Sequence, residues 1–201
     1  MKKVAEIQPL ELEKLITKPL TKETWQAFET LFGKNGACGG CWCMYWHLKH
    51  SDFYNQHGDA THELMRQRVE RGEIPGLLAF NGEKAIGWVA IEPRSAYQVL
   101  ARSRTLAPVD DLPVWSITCF FIDRHYRKQG LNSWLIKQAA DYAFSQGAPA
   151  VESYPSLFKD GKTSDTFYFT GKVTTFKKLG FKEVAHPSTS RAIMRLFKLE
   201  D

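Results

Sequence analysis

Ile122-Asp123-Arg124-His125-Tyr126-Arg127-Lys128-Gln129-Gly130-Leu131-Asn132 is a basic, glycine-containing junction between two strongly patterned segments. Before it, Val114 to Ile122 is an apolar run rich in β-branched and aromatic residues, too short to span a membrane and suited to a buried strand. After it, Leu131, Trp134, Leu135, Ala139 and Tyr142 share one face at helical spacing, which predicts an amphipathic helix from Leu131 to Phe144. A strand that turns through such a loop into a helix leaves backbone N–H groups pointing outward. Together with the positive end of the helix dipole they form an anion site, and a diphosphate is its natural occupant. Gly130 keeps a side chain out of the approach path, while Arg124, Arg127 and Lys128 add positive charge at the rim.

The stretch Arg127-Lys128-Gln129-Gly130-Leu131-Asn132, with Ile122 and Tyr126 ahead of it, resembles the acyl-CoA-binding motif of the GNAT (general N-acetyltransferase) superfamily, which reads Gln/Arg-x-x-Gly-x-Gly/Ala. Asn132 departs from that pattern; Asn is compact and tolerates unusual backbone angles, so the loop is expected to close. Downstream, Phe176-Lys177-Lys178-Leu179-Gly180-Phe181 resembles the family's Tyr-x-x-x-Gly-Phe segment. The resemblance runs from about Pro75 to Lys198, and the strand Val114 to Phe121 is similar to that of a bacterial branch of the superfamily.

That resemblance implies an α+β fold with a mixed, mostly antiparallel sheet and helices on both faces. It implies an N-acyltransferase that moves an acetyl or short acyl group from acetyl-CoA to a small-molecule or peptide amine by direct transfer. The cofactor would be held by backbone groups of Phe120 and Ile122 and by the loop Arg127, Lys128, Gln129, Gly130, Leu131, Asn132 and Ser133. The thioester is already activated, so the enzyme need only hold the reactants, deprotonate the amine and support the departing thiolate. The family's usual acid is a Tyr at the position of Phe176, which has no proton to give; Tyr154 and Tyr168 are the replacement candidates. Glu152, near the end of the strand after the cofactor helix, is the candidate base, since a partly buried carboxylate there suits that role. Phe176 and Asn132 keep open a second reading, a non-catalytic acyl-CoA-binding or sensing module.

Outside the family motif stands Cys38-Gly39-Gly40-Cys41-Trp42-Cys43-Met44-Tyr45-Trp46-His47. Cys38, Cys41, Cys43 and His47 could supply four zinc ligands, or a thiol pair for a redox response, yet a structural zinc site normally bridges two separate elements and no second Cys pair appears. The preferred reading has no metal. Trp42, Tyr45 and Trp46 instead furnish rigid aromatic walls for the acceptor.

A chain of 201 residues can bury a sizeable core as one domain, with 1–72 a helical acceptor-side region and 75–200 the sheet. The formal charge of +5 fits a polyanionic cofactor, but Lys and Arg are too dispersed for nucleic acid. No apolar stretch reaches membrane length and the first residues lack a signal-peptide core, so a cytoplasmic monomer or homodimer is expected. Along the chain the patterns predict an edge strand over Glu6 to Leu10 and a helix from Thr21 to Phe32 without a full capping box. Next come a helix from Asp59 to Arg71 closed by Gly72, and a hairpin of Leu77–Phe80 and Ala85–Ile91 around Asn81-Gly82. A short helix over Ala96 to Ala101 precedes the junction, and the segments Ala148–Tyr154, Lys172–Leu179, Phe181–Ala185 and Ala192–Leu199 follow it as strand, helix, strand and strand.

Overall fold

The computed structural model describes residues 9–157 and 169–199. Val114 to Ile122 forms the middle of the molecule for the reason its composition gives. The strand β4 (Trp115–Ile122) has a sheet neighbour on each side and helices above and below, so nearly every position is apolar. Its antiparallel neighbour β3 (Lys84–Pro93) pairs in turn with β2 (Gly76–Asn81), and β2 with β1 (Ile16–Pro19). On the other side β4 runs parallel to β5 (Ala150–Ser153), followed by β7 (Arg191–Phe197) and β6 (Lys182–Ser188), both antiparallel. The seven strands thus form one mixed, mostly antiparallel sheet in the order β1-β2-β3-β4-β5-β7-β6.

Period-two alternation sends side chains to two cores. Leu77, Ala79, Val89 and Ile117 meet the apolar stripe of α5 (Leu131–Ser145), led by Leu131, Leu135 and Ala139, while α6 (Val173–Lys178) adds Phe176 to the same core. Leu78, Phe80, Trp88 and Ala90 face the opposite way, onto Phe28 and Phe32 of α1 (Trp25–Phe32) and Met65 and Val69 of α3 (Asp59–Glu70). Tight packing against α5 explains Gly87, where a Cβ would meet Leu135 at 3.1 Å.

The hairpin and the main helices lie where periodicity puts them. The first strand does not: the expected edge strand over Glu6 to Leu10 falls partly outside the described residues, Pro9 and Leu10 are not strand, and Ile16–Pro19 takes the edge instead. Ahead of α1, Thr24 completes the missing half of the cap, its hydroxyl accepting the Thr21 N–H at 2.9 Å where a Glu or Gln was thought necessary. Two further helices, α2 (His50–Gln56) and α4 (Gln98–Arg102), carry the chain beside the sheet; α2 is polar and gave no apolar period. No helix among the described residues is long and apolar enough to cross a membrane.

Buried charge sits under this helical side. Arg68 bonds Glu92 at 2.5 Å and Glu73 at 2.6 Å, and His47 lies 3.2 Å from Glu92 and against the Tyr97 ring. Burial first, with the Arg68 charge adding to it, lowers the His47 pKa below the usual imidazole value despite the Glu92 hydrogen bond. A lowered folded pKa means the unfolded chain binds the proton more readily. The stability from neutral His47 is therefore full above about pH 6.5 and is lost as pH falls through the lower folded value. Thermal melts should show the midpoint dropping between pH 7 and pH 5.5, and His47→Gln should flatten that slope; an equal slope in both proteins would assign it elsewhere.

Candidate active site

The anion loop is built from two left-handed residues. Lys128 (φ 62°) and Gly130 (φ 84°) turn the chain so that α5 begins at Leu131 with its first N–H groups facing outward. Left-handed backbone costs a non-glycine residue about 1–2 kcal/mol, so the Lys128 conformation is strain held at this loop. Asn132 sits inside the first turn of α5, and its departure from the small-residue pattern needs no unusual backbone there. Not every residue of the motif is a free ligand. Gln129 ties the loop down, accepting the Leu10 N–H at 2.9 Å and donating to the His125 carbonyl at 3.1 Å. The Leu131 side chain is core, leaving its backbone for the loop.

A cavity of about 810 Å³ leads from this loop across the sheet. Arg127, Lys128 and Asn132 line its loop end, whereas Gln129, Gly130, Leu131 and Ser133 do not line it. Phe120, Phe121 and Ile122 of β4 form its floor. Its opening has a backbone cause: Ile91 pairs with Ile117 and Ala90 with Cys119, so Thr118 is an extra residue, a bulge. Pairing with β5 ends at Ile117, and β4 and β5 separate from there. Two of the backbone groups turned into the gap already have partners: the Phe120 N–H donates to the Phe169 carbonyl at 2.7 Å, and the Ile122 carbonyl accepts from Arg127 Nε at 3.1 Å.

The far wall is the cysteine segment. Cys38, Cys41, Cys43 and Cys119 all line the cavity, and all four are free thiols. Ala37, Trp42 and Cys43 join Lys128 as the non-glycine residues with left-handed φ among the described residues, and all but Trp42 line the cavity. Gly36 accommodates this packing, because a Cβ there would lie 2.5 Å from the Trp42 indole nitrogen. Burial, followed by the neighbouring Cys43, pushes the Cys41 thiol up to about 12, and burial raises Cys43 as well. Among the described residues no group of three or more His, Cys, Asp or Glu is gathered to hold a metal ion; the His47 ring faces Arg68 and Glu92 instead.

Of the expected aromatic walls, Tyr45 and Trp46 line the cavity. Trp42 does not; it stacks on Phe32 with ring centroids 5.7 Å apart inside the α1 core. Phe53, Tyr54 and Phe169 complete the wall, the first two on the helix α2 that sequence periodicity missed. Arg191 also lines it, donating to the Tyr154 carbonyl at 2.9 Å and the Thr170 hydroxyl at 3.4 Å.

The proposed acid and base are placed differently. Glu152 is 1% exposed and does not line the cavity. Register explains it: Ser116, Glu152 and Arg195 stand opposite one another on β4, β5 and β7. Arg195 donates to Glu152 at 2.7 and 3.0 Å and to Asp110 at 2.6 and 3.1 Å. Tyr154 donates to Glu152 at 2.9 Å, lies 2.8 Å from Ser116, and has its pKa raised chiefly by burial and next by the Glu152 charge. Both residues are thus held in a buried ion network behind the cavity wall. Tyr168 lies outside the described residues. Phe176 is fully buried against Phe181, with ring centroids 5.0 Å apart, so the family's acid position is a packing site in this chain.

Residues 42–168 match the sequence model of the acetyltransferase (GNAT) family, and the chain belongs to that family. Solved structures share the fold. A GNAT-family acetyltransferase from Listeria monocytogenes 4b F2365 aligns with a TM-score of 0.54 at 10% identity, over 92% of this chain and 95% of that one. The PaiA N-acetyltransferase of Thermoplasma acidophilum, in complex with coenzyme A, aligns at 0.52 with 13% identity, over 92% and 99%. The NatC complex bound to a Gag peptide and CoA contains a chain that aligns at 0.51 with 11% identity, over 92% and 99%. No curated protein matches the chain in sequence.

The buried network makes a prediction about Glu152. Removing one partner of a buried pair strands the other charge, so Arg195→Met should cost about 3–5 kcal/mol in urea unfolding. Glu152→Gln leaves Arg195 paired with Asp110 and should cost clearly less. If Glu152→Gln leaves stability untouched but suppresses turnover selectively at low pH, Glu152 is the base after all.

Proposed function

We propose that the protein is an N-acyltransferase that moves an acetyl or short acyl group directly from acyl-CoA to an amine. The observation that carries this reading is the single cavity joining the α5 anion loop, the separated edge of β4 and an aromatic wall. Family membership supports acyl transfer, and the relatives with bound CoA support CoA as the donor. The residues fit it. Lys128 and Gly130 fold the loop into a concavity of N–H groups, Arg127 and Lys128 bring charge to a diphosphate, and the apolar floor Phe120 to Ile122 suits a pantetheine arm. The Phe120 N–H becomes available to that arm only when its bond to Phe169 opens. CoA supplies the activated thioester; the protein's work is to align the amine with it and exclude water. The four free cysteines favour a reducing, cytoplasmic setting. The acceptor is a small-molecule or peptide amine.

Among the described residues that line the cavity there is no carboxylate and no histidine. We therefore assign no side-chain base among the described residues, and in this reading the amine reacts from its own unprotonated fraction. Tyr45, half-buried in the wall with its pKa raised first by burial and then by Tyr54, keeps its proton and is the hydroxyl best suited to meet the departing thiolate.

Two measurements test this. Free-thiol release should follow the acceptor's own titration: a peptide α-amine, with pKa about 7.7–8.0, should reach its plateau more than two pH units below a lysine-type amine at about 10.4. The same rising limb for both acceptors would mark an enzyme base. Separately, Gly130→Val forces a β-branched residue to φ 84°, with Leu12 already 3.2 Å from a Cβ there. Calorimetry should show CoA affinity falling at least about tenfold while the melt confirms a folded protein. Unchanged affinity would remove this loop as the CoA site.

A further inference from the structure

We propose that Arg191 is a docking point for a carboxylate on the acceptor, so that the preferred substrates are amines bearing an anionic group and not polyamines. The inference deepens the acyltransferase reading and rests on it. Buried cations in proteins are paired, and the two buried arginines among the described residues follow that rule. Arg68 grips Glu92 and Glu73, and Arg195 grips Glu152 and Asp110. Half-buried Arg94 has no carboxylate partner among the described residues; the carbonyls of Leu100 and Leu106 meet one of its nitrogens while its Nε is left without a partner there, and it does not line the cavity. Arg191, also only half-buried, is the one of these arginines that faces the cavity. One guanidinium nitrogen is used, on the Tyr154 carbonyl and the Thr170 hydroxyl, and no carboxylate among the described residues pairs with it.

Burial lowers the Arg191 pKa, yet an arginine remains a cation at neutral pH, and no carboxylate among the described residues offsets its partial desolvation. The planar fork of an arginine presents parallel N–H donors that match a carboxylate. Its surroundings select further. Arg127, Lys128 and Arg191 bring positive charge to the cavity, and no carboxylate among the described residues lines it to receive a second ammonium on the acceptor. Tyr45, an electrostatic neighbour of Arg191, stands with Phe53 and Phe169 to enclose an apolar or aromatic body. Arg191 belongs to β7, whereas Arg127 and Lys128 belong to the α5 loop, so the diphosphate and the acceptor carboxylate have separate cations.

The test uses matched amines with acetyl-CoA and the full chain, reading free-thiol release. Phenylalanine is compared with phenylalaninamide and with phenethylamine, and spermidine serves as the polycation. Aspartyl-phenylalaninamide against asparaginyl-phenylalaninamide separates a peptide side-chain carboxylate from that of a free amino acid. In the natural protein the carboxylate-bearing member of at least one pair should lead in kcat/KM by about tenfold or more, the scale of one hydrogen-bonded charge. Arg191→Gln, which can still donate to the Tyr154 carbonyl, should bring that ratio close to one through KM, and Arg191→Lys should retain part of it. The proposal fails if spermidine or the neutral amines lead, if the preference survives in Arg191→Gln, or if that variant loses CoA affinity instead. Should no amine be acetylated, the acyltransferase reading fails separately. Calorimetry of phenylalanine and aspartyl-phenylalaninamide with the CoA-saturated protein then decides the anion site: binding lost in Arg191→Gln upholds it, and no binding overturns it.

Discussion

Two strands in the middle of a sheet cannot part without leaving hydrogen-bonding groups that need other partners. In this chain the parting occurs at one residue. Thr118 is extra relative to β3, the strand bends there, and pairing with β5 ends at Ile117. Everything downstream depends on how the freed edge is used. The Phe169 carbonyl takes the Phe120 N–H, Arg127 takes the Ile122 carbonyl, and the remaining space is the cavity. β4 then runs on through the cavity floor into the left-handed turn at Lys128 and Gly130, so floor and anion loop are consecutive in the chain.

Charge is sorted around that gap. The carboxylates Glu92 and Glu152, each within reach of the cleft by sequence, are drawn into buried networks by Arg68 and Arg195. Such networks contribute little net stability compared with an apolar core, but each is costly to break from one side. Their consequence here is that acids face inward while the cavity keeps cations. Among the described residues the charges lining the cavity are all positive, and such a lining concentrates anions, which suits a phosphate-rich donor.

The central strand, the cofactor helix and the loop between them were legible because each carries a strong local signal: an unbroken apolar run, a helical stripe and a glycine at a turn. β1 was not, since Ile16-Thr17-Lys18-Pro19 is short, half polar and identified only by its pairing with β2. The hairpin was readable, whereas α2 (His50–Gln56) has almost no apolar face of its own. In the site, Tyr45 and Trp46 were visible as clustered aromatics. Glu152 looked like a base because a strand end is a reasonable place for one, but its fate is set by Arg195, 43 positions away along the chain and directly opposite in the sheet. Arg191 gave no sequence signal: its proposed role depends on which described side chains surround it, and only the folded arrangement defines that set.

The cysteines bear on how the acyl group travels. A thiol attacks a thioester as its thiolate, so a cysteine relay would need a lowered pKa. The environment of Cys41 and Cys43 does the opposite: burial raises both, Cys41 to about 12, and Trp88 donates its indole N–H to Cys43 at 3.0 Å without reversing that. At neutral pH these two wall residues are neutral, soft and poorly nucleophilic. In the proposed reaction they would border the thioester as apolar surface, excluding water without capturing its acyl group. That property speaks against Cys41 and Cys43 as acyl carriers and, for these two, favours the proposed direct transfer. The left-handed Ala37, Trp42 and Cys43 belong to the same segment, which sets the thiols of Cys38, Cys41 and Cys43 beside Tyr45 in the cavity wall.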